Sequence, residues 1–208
     1  MKIHIDIPLE QKNFNTKKRI FAPNILEKDF ADACLKEIKE LDLPLMNHPN
    51  SKNPYEVVNE NFAWRFHKTN QIDKYGKNLQ ALLDFIKIEL PKYAYKITEK
   101  PVKYHGNPQV TKYNYDCFLS PHSDNVGWRS LAYYFYFNDN WKPDWGGNTM
   151  FIENDKIVDT MIPYHNCFSL FDVEVTTRHF VSPVTKWAQS DRYALGGWLS
   201  VEDPDLLD

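Results

Sequence analysis

His122-Ser123-Asp124 sets an imidazole and a carboxylate two residues apart, and His179 and Arg192 follow further along the chain. On a strand, side chains two residues apart emerge on the same face. One distant histidine added to that pair gives two imidazoles and one carboxylate, the facial triad that suits non-haem Fe(II) and leaves positions open for a cosubstrate and O2. Spacing alone is a weak signal. Roughly 0.6 His-x-Asp triplets are expected by chance in a chain with seven histidines, and a second one, His4-Ile5-Asp6, is present. The elements that carry the residues have to decide.

Residues 2–8 alternate Ile3, Ile5 and Ile7 against Lys2, His4 and Asp6, which predicts a half-buried strand with His4 and Asp6 on its wet face. From about Leu26 to Leu41, Phe30, Ala33, Cys34, Ile38 and Leu41 recur at helical spacing. Pro44, Pro49 and Pro54 mark residues 42–60 as a loop. Leu79, Leu82, Leu83, Ile86 and Leu90 define a second helix, ended by Pro91.

After Lys100 the period changes. Segments around 108–115, 117–124, 130–138, 149–152, 156–162, 167–173, 179–184 and 192–201 are short, rich in β-branched and aromatic residues, and bounded by turn signals. Eight such strands suggest a two-sheet jelly roll, mainly β with the N-terminal helices packed on one sheet. The expected organisation is a single domain over 1–208, with residues 1–100 as helical support and 101–201 as the jelly-roll core.

His122 and Asp124 close a predicted strand just before the loop Asn125-Val126-Gly127, a setting in which ligands are commonly bound. His165, in Pro163-Tyr164-His165-Asn166, reads as a turn residue, whereas His179 lies in a predicted strand. A metal ligand needs a fixed orientation, so His179 is chosen as the third ligand. His105 is read as a turn residue, and His48 and His67 as lying in the polar loop and its flank. Arg192 opens an otherwise apolar strand and needs an anionic partner. That partner is either a protein carboxylate or a dicarboxylate ligand held by the guanidinium fork.

Composition excludes several classes. Charged residues make up 25% and hydrophobic ones 42%, ordinary for a globular chain rather than a disordered one. A formal net charge of −3 offers no basic stripe for nucleic acid. The one compact basic run, Lys17-Lys18-Arg19, is read as a solvated turn. Cys34, Cys117 and Cys167 are odd in number and far apart, which fits buried thiols in a reducing, cytoplasmic setting. Neither a secretory signal nor a membrane segment is expected.

From about Val110 to Leu199 the sequence resembles the 2-oxoglutarate- and Fe(II)-dependent dioxygenases of the prolyl 4-hydroxylase type. The pieces that carry the resemblance are Tyr113 ahead of His122-Ser-Asp124, then Tyr134-Phe135-Tyr136-Phe137-Asn138-Asp139-Asn140-Trp141, then Gly146-Gly147-Asn148-Thr149-Met150-Phe151-Ile152. Phe168-Ser169-Leu170-Phe171, His179-x-Val181-x-Pro183-Val184 and Arg192-Tyr-Ala-Leu-x-x-Trp198 follow in the same order.

The resemblance implies His122, Asp124 and His179 as ligands of Fe(2+), Arg192 as the anchor for the distal carboxylate of 2-oxoglutarate, and Tyr136 and Tyr113 as hydrogen-bond donors to that cosubstrate. With O2 it implies decarboxylation to succinate and CO2 and hydroxylation of a C–H bond. A carboxylate at Asp124 favours hydroxylation over halogenation, since related halogenases carry a small residue there. Some family members have a threonine four residues after the arginine. Here the position is Gly196, which implies a wetter or roomier cosubstrate pocket. The expected substrate is a prolyl or similar residue of a protein or peptide, with Trp128 and Arg129 as candidate contacts. The alternatives are a free amino acid or other small metabolite, or a metal-binding jelly roll without catalysis. Neither nucleic acid nor membrane is an expected partner.

Overall fold

The computed structural model describes residues 3–52, 61–69, 76–106, 108–125, 127–174 and 176–201. Its helices are α1 (Ile7–Lys17), α2 (Lys28–Lys39), α3 (Lys77–Ile88) and α4 (Leu90–Thr98). Its strands are β1 (Arg19–Ala22), β2 (Leu45–Lys52), β3 (Asn61–Thr69), β4 (Val102–Tyr104), β5 (Gln109–Tyr113), β6 (Phe118–His122), β7 (Arg129–Tyr136), β8 (Thr149–Glu153), β9 (Lys156–Met161), β10 (Cys167–Asp172), β11 (Arg178–Val181) and β12 (Arg192–Val201). All eight strands expected after Lys100 are present, and the mainly antiparallel sheet curls into the anticipated jelly roll.

The sheet runs β1-β10-β7-β12-β5-β3-β6-β11-β8-β9. One wall is β1 to β5, the other β6 to β9. Strand β3 joins them by pairing with β6 at Trp64 and Arg65 and with β5 from His67 to Thr69. The two outermost strands, β1 and β9, meet through side chains. Arg19 donates from Nε to Asp159 at 3.0 Å, lies 3.5 Å from Glu153, and stacks its guanidinium 4.7 Å from the Phe151 ring centre. Arg19 is therefore buried in a strand, not part of a solvated turn. Pairing with two carboxylates makes that burial tolerable.

The N-terminal half departs from its expected elements in three places. Residues 3–6 form no strand: Asp6 accepts a hydrogen bond from the Leu9 amide, Pro8 lies in the first turn, and a helix starts where alternation suggested extension. His4 contacts Glu27 at 2.7 Å on the surface. Within 42–60, residues 45–52 form β2, paired with β3 and bulged between His48 and Ser51. Pro49 falls in that bulge, where no ladder donor is required; residues 53–60 lie outside the described set. Pro91 starts α4 rather than only ending α3, because a first-turn proline sacrifices no helical hydrogen bond.

The helices cover the outer face of the β10-β7-β12-β5 wall. Ala31, Cys34, Leu35 and Ile38 of α2 and Leu79, Leu82, Leu83 and Ile86 of α3 pack with Leu131, Tyr133, Phe135, Phe137, Phe168, Leu170 and Leu195. Glu37 of α2 accepts hydrogen bonds from the Asn78 and Leu79 amides at the start of α3. A Cβ on Gly76 would lie 2.2 Å from the Glu37 Cδ, so glycine admits this cap. Cys34, Cys117 and Cys167 are buried free thiols, and burial pushes Cys34 up to about 12. No helix among the described residues is long and apolar enough to cross a membrane.

Candidate metal centre and cosubstrate pocket

His122 ends β6 and faces His179 of β11 directly across the antiparallel pair. Their rings lie 4.3 Å apart, and Asp124 comes in from the chain just beyond β6. One donor atom from each of the three residues lies within 4.8 Å of the other two. Nε2 of His122 is 3.7 Å from Oδ1 of Asp124, and Nε2 of His179 is 3.6 Å from its Oδ2. The other ring nitrogens turn outward: Nδ1 of His122 meets the Ser120 carbonyl at 2.9 Å and Nδ1 of His179 the Thr177 carbonyl at 3.5 Å. Donation from Nδ1 to a carbonyl leaves each Nε2 with its lone pair towards the cluster, as metal-ligating histidines require.

Burial, then the neighbouring His122, pulls His179 down to about 4, against the opposing pull of Asp124. The imidazole is therefore neutral near neutrality and able to ligate. Burial alone would push the Asp124 carboxyl up, but His179, His122 and the Arg129 guanidinium outweigh it and hold it below the ordinary value. Oδ2 of Asp124 is buried without a hydrogen-bond partner. A buried anionic oxygen facing two imidazole lone pairs is costly unless a cation completes it, so the donor set fits Fe(II).

Arg192, at the start of β12, is 3% exposed, and its Nε is buried without a partner. Among the described residues no carboxylate pairs with it. Its contacts are the faces of Tyr113 at 4.8 Å and Tyr136 at 5.3 Å, with a long contact of 3.4 Å to the Thr149 hydroxyl. Such a fork asks for an anion from outside the chain. The cavity beside it is lined by Thr111, Tyr113, Tyr134, Tyr136, Thr149 and His179 among others. Gly146 and Gly147 both have positive φ. A Cβ on Gly147 would lie 3.0 Å from Cδ of Arg192, and one on Gly146 would lie 2.0 Å from the Pro183 carbonyl oxygen. The glycine pair lets the hairpin close against the arginine.

Every site residue singled out in the sequence has a place. His122, Asp124 and His179 converge, with Arg192, Tyr136 and Tyr113 lining one cavity. His165 stays outside, its Nε2 bonded to Asp32 at 2.9 Å, and His67 holds the Leu43 carbonyl. Arg129 reaches Oδ1 of Asp124 at 3.5 Å while stacking 3.6 Å from the Trp198 ring centre. Trp128 stacks on His105 at 3.8 Å.

The space beside Gly196 is filled, not roomy. A Cβ there would meet Cδ1 of Tyr134 at 2.2 Å. Sequence reasoning missed Tyr134, although it stands two residues from Tyr136 on the same strand face. That period-two relation was the available signal.

Residues 108–200 match the family model described as the 2OG-Fe(II) oxygenase superfamily. A prolyl 3-hydroxylase, OGFOD1, from Mus musculus is 22% identical over 184 residues, which cover 85% of this chain and 31% of that protein. The chain thus spans about a third of that relative's length. Among solved structures, a prolyl hydroxylase from Trichoplax adhaerens in complex with a hypoxia inducible factor peptide fragment superposes with a TM-score of 0.70 at 19% identity, covering 97% of this chain and 92% of that one. A Pseudomonas putida prolyl-4-hydroxylase gives 0.67 at 16% identity, covering 95% and 100%. At these identities the structural likeness speaks for the shared fold.

Proposed function

From the match of residues 108–200 to the 2OG-Fe(II) oxygenase superfamily model, whose enzymes work with Fe(II), 2-oxoglutarate and O2, we propose that this chain hydroxylates an unactivated C–H bond, most readily in a prolyl residue of a protein or peptide. The balance is substrate C–H plus 2-oxoglutarate plus O2 giving substrate C–OH, succinate and CO2. The observation that carries the reading is Arg192, a buried cation with no carboxylate partner among the described residues, lining the same cavity as His179. A jelly roll that only held a metal would have no need of it.

The chain's own residues divide the work. His122, Asp124 and His179 would hold iron, with the Nδ1 contacts of the two histidines fixing their imidazoles. Arg129, bonded to Oδ1 of Asp124, leaves Oδ2 for the metal side. Arg192 binds the distal carboxylate, and Tyr113 and Tyr136 flank it. Burial pushes the Tyr113 phenol up, so it stays a neutral donor. Iron, when bound, supplies O2 activation and the oxidising power for the C–H bond. Trp128, stacked on His105 near Arg129, is proposed as a contact at the rim. A peptide substrate is supported by the prolyl hydroxylases among the relatives. Three buried free thiols suit a reducing compartment such as the cytoplasm.

Succinate release from the Fe(II)-loaded chain, together with mass spectrometry of proline-containing peptides and of free amino acids, tests the reading. With the unmodified chain we expect a gain of about 16 mass units on a peptide prolyl residue, and in His122→Ala and His179→Ala we expect turnover to fall at least about a thousandfold, in line with loss of metal binding. Turnover that survives both substitutions removes the ligand assignment. Hydroxylation of free amino acids alone replaces the peptide reading with a small-molecule one.

A further inference from the structure

We propose that Tyr134 is a positioning residue for the cosubstrate, donating its phenol hydroxyl into the cavity between His179 and Arg192, and that it holds this place only because residue 196 is glycine. The inference rests on the proposed 2-oxoglutarate pocket and adds to it a donor that none of its assigned residues supplies.

Tyr134 and Gly196 are cross-strand partners on the inner faces of β7 and β12. The tyrosine ring lies on the glycine: a Cβ on residue 196 would meet Cδ1 at 2.2 Å and Cε1 at 2.5 Å. Contacts that short exclude even alanine unless the ring moves. On its other sides the ring runs nearly parallel to Phe171, at 6.2 Å and 12°, and to Tyr136, at 6.2 Å and 23°. Three neighbours therefore fix its rotamer.

The hydroxyl is the unusual part. Tyr136, on the same face, bonds Ser169 at 3.2 Å. The Tyr134 hydroxyl makes no hydrogen bond among the described residues, yet the side chain lines the cavity shared by Thr149, His179 and Arg192. Burial, reinforced by the negative charge of Asp124, pushes this phenol well above its ordinary value, so it remains a protonated donor. An anionic 2-oxo acid offers carboxylate oxygens and lacks donors of its own, the complement of a free phenol beside a guanidinium. A hydroxyl on residue 196 would serve the same purpose, but here the phenol comes from the opposite strand and uses the glycine as its seat.

Calorimetric titration of the Fe(II)-loaded chain with 2-oxoglutarate, without O2, reads this directly, with melting temperature recorded for each variant. Tyr134→Phe keeps the ring and is expected to weaken binding about tenfold with an unchanged melting temperature. Gly196→Thr displaces the ring and is expected to weaken it at least as much. The double variant Gly196→Thr/Tyr134→Ala gives the threonine hydroxyl room and is expected to bind more tightly than Gly196→Thr alone. Arg192→Ala serves as the reference. If Arg192→Ala loses binding while Tyr134→Phe titrates like the unmodified chain, the role of Tyr134 is overturned and the pocket stands. If Arg192→Ala also titrates unchanged, the pocket assignment falls first. Should Tyr134→Phe lose stability along with affinity, absence of rescue in the double variant overturns the proposal.

Discussion

Along β7, Leu131, Tyr133 and Phe135 turn towards the helices, while Ala132, Tyr134 and Tyr136 turn into the barrel. Successive residues of one strand thus enter two different environments. The outer face meets Ile38, Leu79, Leu82 and Ile86 in apolar contact, the kind of burial that contributes roughly 25 cal/mol per Å². The inner face, with β12, holds a guanidinium and phenols. Across the barrel, Asp124 Oδ2 adds another buried atom without a partner beside that of Arg192 Nε. Each such atom costs on the order of 1–3 kcal/mol when nothing binds it. Apolar packing lies on one face and the proposed ligand pocket on the other, so substitutions should separate stability from binding.

The largest effect is expected outside. Phe135→Ala should cost about 3–5 kcal/mol in urea denaturation while the folded protein keeps its affinity for 2-oxoglutarate. A parallel loss of affinity would show that the two faces are not independent. On the metal side, the neutral His179 imidazole gives the metal-free chain a pH signature. Its folded value of about 4 lies below the ordinary 6.5. As pH falls below about 6.5 the unfolded chain takes up the proton first. The stability present above that pH drains away towards pH 4, by about 3 kcal/mol at most. His179→Gln should flatten that part of the profile, and an unaltered profile would assign it to other groups. The smallest stability change is expected at Arg192. Arg192→Met should abolish tight cosubstrate binding yet shift stability by less than about 1 kcal/mol, or raise it, because an unpaired buried charge is removed. A large destabilisation there would make Arg192 a structural residue after all.

The jelly roll was legible because its strands carry their own punctuation: alternating aromatic and β-branched residues between Asn, Gly and Pro turns. The N-terminal half was harder to read. Ile3, Ile5 and Ile7 alternate like a strand, yet the cap at Asp6 and the proline at position 8 start a helix, so local capping overrode the short pattern. Trp64 and Phe66 of β3 alternate as well, but this short run beyond the proline-rich loop at 42–60 suggested no element of its own. For the site, residue types and order were enough to bring forward His122, Asp124, His179 and Arg192. The filling of the space at Gly196 was not legible, because the ring that fills it comes from 62 residues earlier in the chain, across a strand pair that only folding creates.

The seam of the barrel has a consequence of its own. β1 and β9, at opposite ends of the strand order, are joined where Arg19 meets Asp159, 140 residues away in sequence. A backbone ladder there would make the barrel a rigid hoop. A side-chain clasp lets the seam give without breaking a row of amide bonds. Beneath that clasp lies Phe151, 4.7 Å from the Arg19 guanidinium on one side and 5.7 Å from the His179 ring on the other. Loosening the hoop would therefore loosen the seat of His179, one of the proposed metal ligands, so that the earliest described strand of the chain helps to hold one of its last.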